Sequence, residues 1–234
     1  MFETCRADGV CRLAHEGARW LATGWDGGYR TADAAFNVSV PTGFERTDLD
    51  SYARERLAAA EFERAGPVLL TGVDLVHARG ARAGSVTVVA TVGLSNPASL
   101  PIAADRSFGA ETDCHDQPPT GTVNLLVGTT RALTDGTLAT LLATAVEAKT
   151  AILQSLTGFT GTTSDAVAVG CDPTGDPAEF AGSGTEVGSA VRACVRDTVA
   201  ASLRARYAAQ EVPTSVADAA HGVVTDRETD PFQP

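Results

Sequence analysis

Lysine is almost absent from this chain of 234 residues: seventeen of its 18 basic side chains are arginine, and Lys149 is the only lysine. The 29 acidic residues outnumber the basic ones and give a net charge of −11, which argues against nucleic acid or an anionic membrane as a partner. An acidic, lysine-poor composition is typical of proteins from a salt-rich cytoplasm, where ions screen long-range fields. We therefore interpret most of the charge as an adaptation to habitat.

Other classes of protein are disfavoured by missing patterns. The five cysteines form no CxxC pair, which excludes a zinc ribbon or a disulfide scaffold. No uninterrupted apolar run approaches the roughly 18 residues of a membrane span. The first residues do not resemble a secretory signal, so we expect a cytoplasmic protein. The run Asp113–Asp116, which contains a cysteine and a histidine, is too local for a closed metal geometry, and we expect neither a metal nor a cofactor.

The order of elements predicts one α+β (or α/β) domain over residues 1–210, with a mixed β-sheet and two long flanking helices at about 136–156 and 186–207. A shorter helix is predicted from Ser51 to Arg64, and residues 97–120, which include the acidic segment 105–120, are predicted to form a long loop. Residues 211–234 are predicted to form an extended polar tail over the surface. Apolar, β-branched runs predict strands at 10–15, 19–24, 34–40, 67–73, 85–94, 121–129 and 165–171.

The first predicted long helix carries the most informative residue. At 100° per residue, Lys149 falls near the middle of an apolar stripe and Glu147 falls roughly opposite. A composition that replaces nearly every lysine with arginine, yet keeps one on a buried face, indicates a site where a group that can lose its proton is needed. The alternative is a lysine whose stem crosses the apolar face to reach water. The stripe consists of Leu138, Leu142, Ala145, Val146, Ile152, Leu153 and Leu156.

Two further segments could carry chemistry. Asp165, at the entrance of a buried strand, could orient a water or pair with Lys149, or it could simply form a turn with its own backbone. The turn containing Gly182, Gly184 and Thr185 leads into a helix, where free N–H groups bind carbonyl or anionic oxygens. Ordinary capping of that helix is the alternative.

Three asparagines lie at strand positions where amides are unusual, namely Asn37, Asn96 and Asn124. Because each amide offers a donor and an acceptor, the three suit a ligand rich in amide groups; the alternative is that they satisfy backbone groups in the core. Trp20 and Trp25 are both expected in the core.

Taken together, the motifs resemble those of the adenosylcobinamide amidohydrolases of corrinoid salvage. The matching pieces lie in the family's order from about residue 10 to residue 205. They are WLATGWDGG (20–28), FNVSVP (36–41), PVLLTGV (67–73), ATVGLSNPA (90–98), GTVNLLV (121–127), DGTLATLLATAVEAKTAIL (135–153), TGTTSDAVAV (160–169) and AGSGTEVG (181–188).

The resemblance implies a hydrolase that cleaves the amide between the corrin propionyl arm and 1-amino-2-propanol, releasing adenosylcobyric acid for coenzyme B12 synthesis. The cobalt then belongs to the corrinoid substrate, and the enzyme needs no metal of its own. A corrinoid-binding protein without catalysis, or an amidase acting on a complete cobamide, is the alternative. The sequence leaves the oligomeric state open, with a homo-oligomer possible.

Residue roles follow from the residues themselves. We expect Lys149, paired with Glu147 or with Asp165, to handle protons while a water attacks the amide carbonyl. The pairing with Asp165 is favoured, because Glu147 falls on the opposite face of the helix. The oxyanion would be held by the turn from Gly182 to Thr185, or by the amides of Asn96 and Asn124. Alternatively, the hydroxyl of Thr122 or Thr185 is the nucleophile. Substrate binding is assigned to Asn37, Asn96, Thr122, Asn124, Gly182, Gly184 and Thr185.

Overall fold

The structure, a computed structural model, describes residues 1–63, 66–101, 121–219 and 221–233. The strands in those residues are β1 (Glu3–Ala7), β2 (Val10–Ala14), β3 (Arg19–Ala22), β4 (Gly28–Thr31), β5 (Ala34–Ser39), β6 (Val68–Thr71), β7 (Arg79–Ala83), β8 (Val86–Val92), β9 (Pro97–Ser99), β10 (Val123–Thr129), β11 (Gly161–Thr162), β12 (Ala166–Cys171) and β13 (Val223–Val224). The helices are α1 (Leu49–Ala59), α2 (Asp135–Thr157) and α3 (Glu186–Arg206), with 3₁₀ turns at Leu75–His77 and Val216–Asp218.

The described strands form three sheets. The largest has six strands in the order β4-β3-β12-β10-β8-β7, and the second has four strands in the order β1-β2-β5-β6. Both are mixed, because β10 runs parallel to β12 and β5 runs parallel to β6, while the other pairs are antiparallel. A small third sheet, β11-β9-β13, lies near the start of β10.

Apolar side chains separate four layers. The two large sheets face each other across a cluster that includes Trp20, Leu69 and Leu126. The outer face of the six-stranded sheet packs against α2 and α3, and the outer face of the four-stranded sheet packs against α1. The order of layers is therefore α1, four-stranded sheet, six-stranded sheet, and then α2 with α3.

Helix α2 has well-defined ends. The Thr134 hydroxyl accepts the N–H of Thr137 at the N-terminus, and Gly158 ends the helix in a left-handed conformation (φ 79°) that glycine adopts without steric cost. By length and composition α2 could cross a membrane, and it is the one such helix in the described part of the chain. It packs against the sheet and α3, as core helices of the same length and composition do.

The predicted mixed α+β architecture is confirmed, as are the seven predicted strands and both long helices. The shorter predicted helix is also present as α1, but it ends at Ala59, short of Arg64. Strands β1, β4 and β7 were not predicted; each is an edge strand with an exposed, polar face. The predicted apolar stripe of α2 is wrong at its C-terminal end, where Leu156 is 45% exposed. The predicted loop 97–120 is wrong at its start, where Pro97–Ser99 form β9. Residues 102–120, with the possible metal ligands Asp113–Asp116, lie outside the described residues.

The C-terminal residues also depart from a purely extended tail. A 3₁₀ turn forms at Val216–Asp218, and β13 pairs with β9. The N–H of His221 donates to the Ser95 carbonyl. The tail is therefore fastened to the end of the molecule where β10 begins, while the domain boundary at residue 210 stays a prediction.

Candidate active site

Thr122 directly precedes β10 and is almost fully buried. Its hydroxyl donates to the Asn124 Oδ1 at 3.0 Å and to the Ser164 carbonyl at 2.9 Å. Side chains alternate along a strand, and Leu126 lies in the cluster between the two large sheets. The side chains of Thr122 and Asn124 therefore face the space between the sheets, opposite to α2.

A chain of buried amides holds Thr122 in place. Asn124 Nδ2 donates to Asn37 Oδ1 and to the Leu70 carbonyl, both at 2.8 Å. Asn37 Nδ2 donates to Thr91 Oγ1 at 3.0 Å. Both amides thus use their donors inside the protein, which supports the interpretation that they satisfy core groups. Their contribution to the site is to fix the orientation of the Thr122 hydroxyl.

Lys149 and Asp165 form a buried ion pair, with Lys149 Nζ donating to Asp165 Oδ2. The other oxygen, Asp165 Oδ1, accepts the N–H of Val123 at 3.0 Å, and the N–H and hydroxyl of Thr162. Lys149 comes from α2, so the pair lies on the helix side of the sheet. It anchors the residue directly after Thr122 without lining the space that the Thr122 side chain faces.

A donor chain ends on the carbonyl before Thr122. Asn96 Nδ2 donates to Thr163 Oγ1 at 2.7 Å and to Ser164 Oγ at 3.2 Å, and Ser164 Oγ donates to the Gly121 carbonyl at 3.1 Å. Asn96 is fully buried, and its Oδ1 has no hydrogen-bond partner among the described residues. A Cβ atom on Gly121 would lie 2.5 Å from that oxygen, so only glycine fits there.

A cavity of about 790 Å³ opens beside Thr122. Its buried wall includes Thr122, Leu69 and Ala166, and Ser164 lies at a more exposed part of the wall. Trp25, which is 40% exposed, stands at the mouth. The further lining residues are Gly24, Val40, Phe44, Glu45, Arg46, Thr47, Leu49, Val68, Leu70, Thr71 and Gly72.

At the mouth of the cavity, Arg46 is fixed by hydrogen bonds to two carboxylates. Arg46 donates to Asp48 and Glu55, and these hydrogen bonds raise the pKa of Arg46 and hold the pKa of both carboxyl groups below their ordinary values. The Arg46 guanidinium also lies 5.2 Å from the centre of the Tyr52 ring, and burial raises the pKa of that tyrosine. The cavity therefore has mainly apolar walls and a fixed cationic side chain at its rim.

The remaining predicted site residues lie elsewhere. Glu147 is exposed and pairs with Arg192 of α3. Thr185 caps α3, accepting the N–H of Gly188 and donating to the Gly182 carbonyl. That turn lies near the end of β10 opposite to Thr122, because Glu186, the residue after Thr185, pairs with Arg131, which follows β10. The structure brings together Asn37, Asn96, Thr122, Asn124, Lys149 and Asp165.

Sequence reasoning missed Gly121, Ser164 and Trp25. Gly121 and Ser164 belong to motifs that were recognised, but their contacts join segments some 40 residues apart and leave no local pattern. The expectation that both tryptophans are core residues is confirmed for Trp20, which is fully buried, and wrong for Trp25. The flanking glycines in GWDGG were the available signal for a turn, where a large aromatic side chain is often exposed.

Comparison with known proteins identifies the family of this chain. Residues 1–211 match the model of the family described as adenosylcobinamide amidohydrolase. A protein of that name from Halobacterium salinarum is 53% identical over 100% of both chains. Another from Methanosarcina mazei is 28% identical over 80% of this chain and 90% of its own. Among solved structures, the PH0078 protein of Pyrococcus horikoshii gives a TM-score of 0.44 at 10% identity, covering 86% of this chain and 78% of its own. The chain belongs to the adenosylcobinamide amidohydrolase family.

Proposed function

We propose that this protein hydrolyses adenosylcobinamide at the amide between the corrin propionyl arm and 1-amino-2-propanol, giving adenosylcobyric acid. The observation that carries the proposal is the full-length similarity to a protein named for this activity, at 53% identity. The reaction consumes one water, which supplies the hydroxyl of the new carboxylic acid and a proton of the released amine. Salvaged corrinoids would thereby return to coenzyme B12 synthesis.

The cavity supports the same reaction. Its mainly apolar walls suit the hydrocarbon part of the propionyl–aminopropanol arm, and its buried end presents the Thr122 hydroxyl. The corrin ring is too bulky for this end and would remain at the mouth, near Trp25 and Phe44. The substrate carries its own cobalt, so the proposal requires no metal bound by the protein.

Within this proposal, Thr122 attacks the amide carbonyl, because its buried hydroxyl lines the cavity. Lys149 and Asp165, the residues expected to handle protons, hold the adjoining backbone at Val123 and act on the reaction through that segment. Their role in proton transfer remains a proposal. Glu147 and the turn from Gly182 to Thr185 receive no catalytic role in this proposal. Glu147 pairs with Arg192 on the surface, and the turn caps α3, so neither lies at the cavity.

The test is incubation of the purified protein with adenosylcobinamide in molar KCl, followed by chromatographic separation of the corrinoids. We expect adenosylcobyric acid and free aminopropanol from the wild type, and loss of both products with Thr122→Ala. A complete cobamide, offered in parallel, distinguishes the alternative amidase. Bound but unchanged adenosylcobinamide, with a protein shown to be folded, would contradict hydrolysis and favour a corrinoid-binding protein.

A further inference from the structure

Thr122 has the position of a nucleophile, and among the described residues no side chain that bonds its hydroxyl is a base that could take its proton. The hydroxyl's hydrogen bonds within the described residues go to an amide oxygen and a backbone carbonyl, and neither is a base at neutral pH. The titratable side chains on the cavity wall, Glu45 and Arg46, lie in the loop before α1, and Arg46 is engaged with Asp48 and Glu55. A threonine hydroxyl needs an adjacent base to attack an amide, and the amine of the same residue supplies one when that residue begins a chain.

The peptide bond between Gly121 and Thr122 is surrounded by hydrogen-bonding groups that would assist its cleavage. The Gly121 carbonyl accepts a hydrogen bond from Ser164 Oγ, which in turn accepts one from Asn96 Nδ2. This donor chain would stabilise negative charge on the carbonyl oxygen as it develops. Close to Gly121, Asn96 Oδ1 is buried and has no partner in the part of the chain that the structure describes, so it is an acceptor that a newly formed amine could use.

We propose that the chain cleaves itself between Gly121 and Thr122, so that Thr122 becomes the N-terminal residue of a second chain and its amine becomes the base for the hydroxyl. The purpose of the cleavage rests on the proposed function, whereas its occurrence does not.

The chemistry uses water alone. Thr122 Oγ1 bonds to the Gly121 carbonyl carbon, its proton passes to the Thr122 nitrogen, and the carbon–nitrogen bond breaks, leaving an ester and a free amine. Water then adds to the ester from the cavity that Thr122 and Ser164 line, and the carbon–oxygen bond breaks. The products are a carboxylate at Gly121 and the restored Thr122 hydroxyl, with one water consumed.

The two chains, residues 1–121 and 122–234, would stay together after cleavage. Strand β10 of the second chain pairs along its whole length with β8 of the first, and α3 packs on β8 and β7. The four-layer fold therefore holds both parts without the peptide bond. In the mature enzyme the Thr122 amine takes the hydroxyl proton as Oγ1 attacks the substrate carbonyl, and passes it to the departing aminopropanol nitrogen. Water then adds to the ester on Oγ1 and the carbon–oxygen bond breaks, which releases the acid and restores the Thr122 hydroxyl.

The test is intact-mass spectrometry and N-terminal sequencing of the purified wild-type protein, made without reference to activity. We expect two polypeptides of similar mass in place of one of 24.0 kDa, and a new N-terminus that reads Thr-Val-Asn-Leu. The chain offers internal controls, because it contains four other Gly–Thr bonds, before Thr129, Thr137, Thr162 and Thr185, which are expected to stay intact.

Variants separate self-cleavage from proteolysis. Thr122→Ala should remain one chain, Thr122→Ser should be cleaved, and Ser164→Ala should be cleaved more slowly, by about tenfold or more. Thr129→Ala, at the other end of the same strand, is the matched control and should be cleaved like the wild type. Circular dichroism of Thr122→Ala establishes that it is folded.

Two outcomes would overturn the inference. A wild-type protein that hydrolyses adenosylcobinamide as a single intact chain shows that Thr122 needs no free amine, and leaves the proposed function standing. Cleavage that persists in Thr122→Ala shows that another protease cuts this bond. Conversely, a wild type that is cleaved at Thr122 but inactive on adenosylcobinamide supports self-cleavage and contradicts the proposed substrate.

Discussion

Helix α2 carries two ion pairs whose helix residues are two positions apart, yet the pairs have opposite environments. In the inner pair, Lys149 and Asp165, the side chains are 6% and 14% exposed. In the outer pair, Glu147 and Arg192, they are 62% and 37% exposed. Two positions correspond to about 200° around a helix, so neighbouring charges on one helix face the core and the solvent respectively.

The difference shows that burial and the number of partners, more than the presence of a salt bridge, decide what a charge does here. The inner carboxylate binds the N–H groups of Val123 and Thr162 as well as the lysine, and so connects α2, β10 and β11. The outer pair connects the surfaces of α2 and α3 and is exposed to the ions of a salty solvent. Four variants test this comparison, in order of decreasing expected effect.

Lys149→Met should have the largest effect, because it leaves the Asp165 carboxylate buried and uncompensated. Loss of one partner of a buried pair costs about 3–5 kcal/mol. We expect the free energy of unfolding, measured by denaturant titration in molar salt, to fall by that amount. A loss below about 1 kcal/mol would contradict the description of the pair as buried and coupled.

Lys149→Arg sharpens this test, since it keeps the charge and changes the shape. Lys149 Nζ lies 2.8 Å from the Cβ position of Gly161, so a guanidinium has no room without moving the loop. We expect a stability loss of about 2 kcal/mol and a fall in kcat, as β10 shifts beside Thr122. Full activity and stability of Lys149→Arg would show that the single lysine of this chain has no specific role.

How far the sequence could predict the molecule follows from these same elements. The continuous apolar runs of β8, β10 and β12 identified the central strands, because strands covered on both faces have that composition. The edge strands β1 and β7 could not be found, since they contain no run of large apolar side chains: β1 is mostly exposed, and in β7 exposed positions alternate with half-buried ones.

Some features of the candidate site could be predicted from the sequence and others could not. Lys149 was identified from composition and periodicity, and its pairing with Asp165 was favoured over Glu147 because the latter lies on the opposite helix face; the structure confirms that geometry. The contact of Ser164 with the Gly121 carbonyl could not be predicted, because it depends on how the turn before β12 meets the start of β10. Such contacts arise from tertiary packing and have no sequence period.

Gly161→Ala tests whether the inner pair can adjust. The added Cβ would lie 2.5 Å from Asp165 Oδ2 and 2.8 Å from Lys149 Nζ, and neither atom can move without leaving its partner. We expect the free energy of unfolding to fall by about 1–3 kcal/mol, the usual cost of overpacking. Gly182→Ala is the matched control, because no atom lies within 4 Å of its Cβ position. Equal effects of the two substitutions would show that the loop relaxes freely around the pair.

Glu147→Gln should have the smallest effect. The change removes the charge of an exposed pair while keeping the length and helix propensity of the side chain, and exposed pairs contribute about 0–1 kcal/mol. In molar KCl the Debye length is about 3 Å, so even this contribution is screened. We expect denaturation midpoints and kcat within error of the wild type at high salt, with a small loss of stability when the salt is lowered. A large loss of kcat in a stable Glu147→Gln protein would give the outer pair a part in catalysis, and would mean that exposure on α2 does not separate the structural charges from the functional ones.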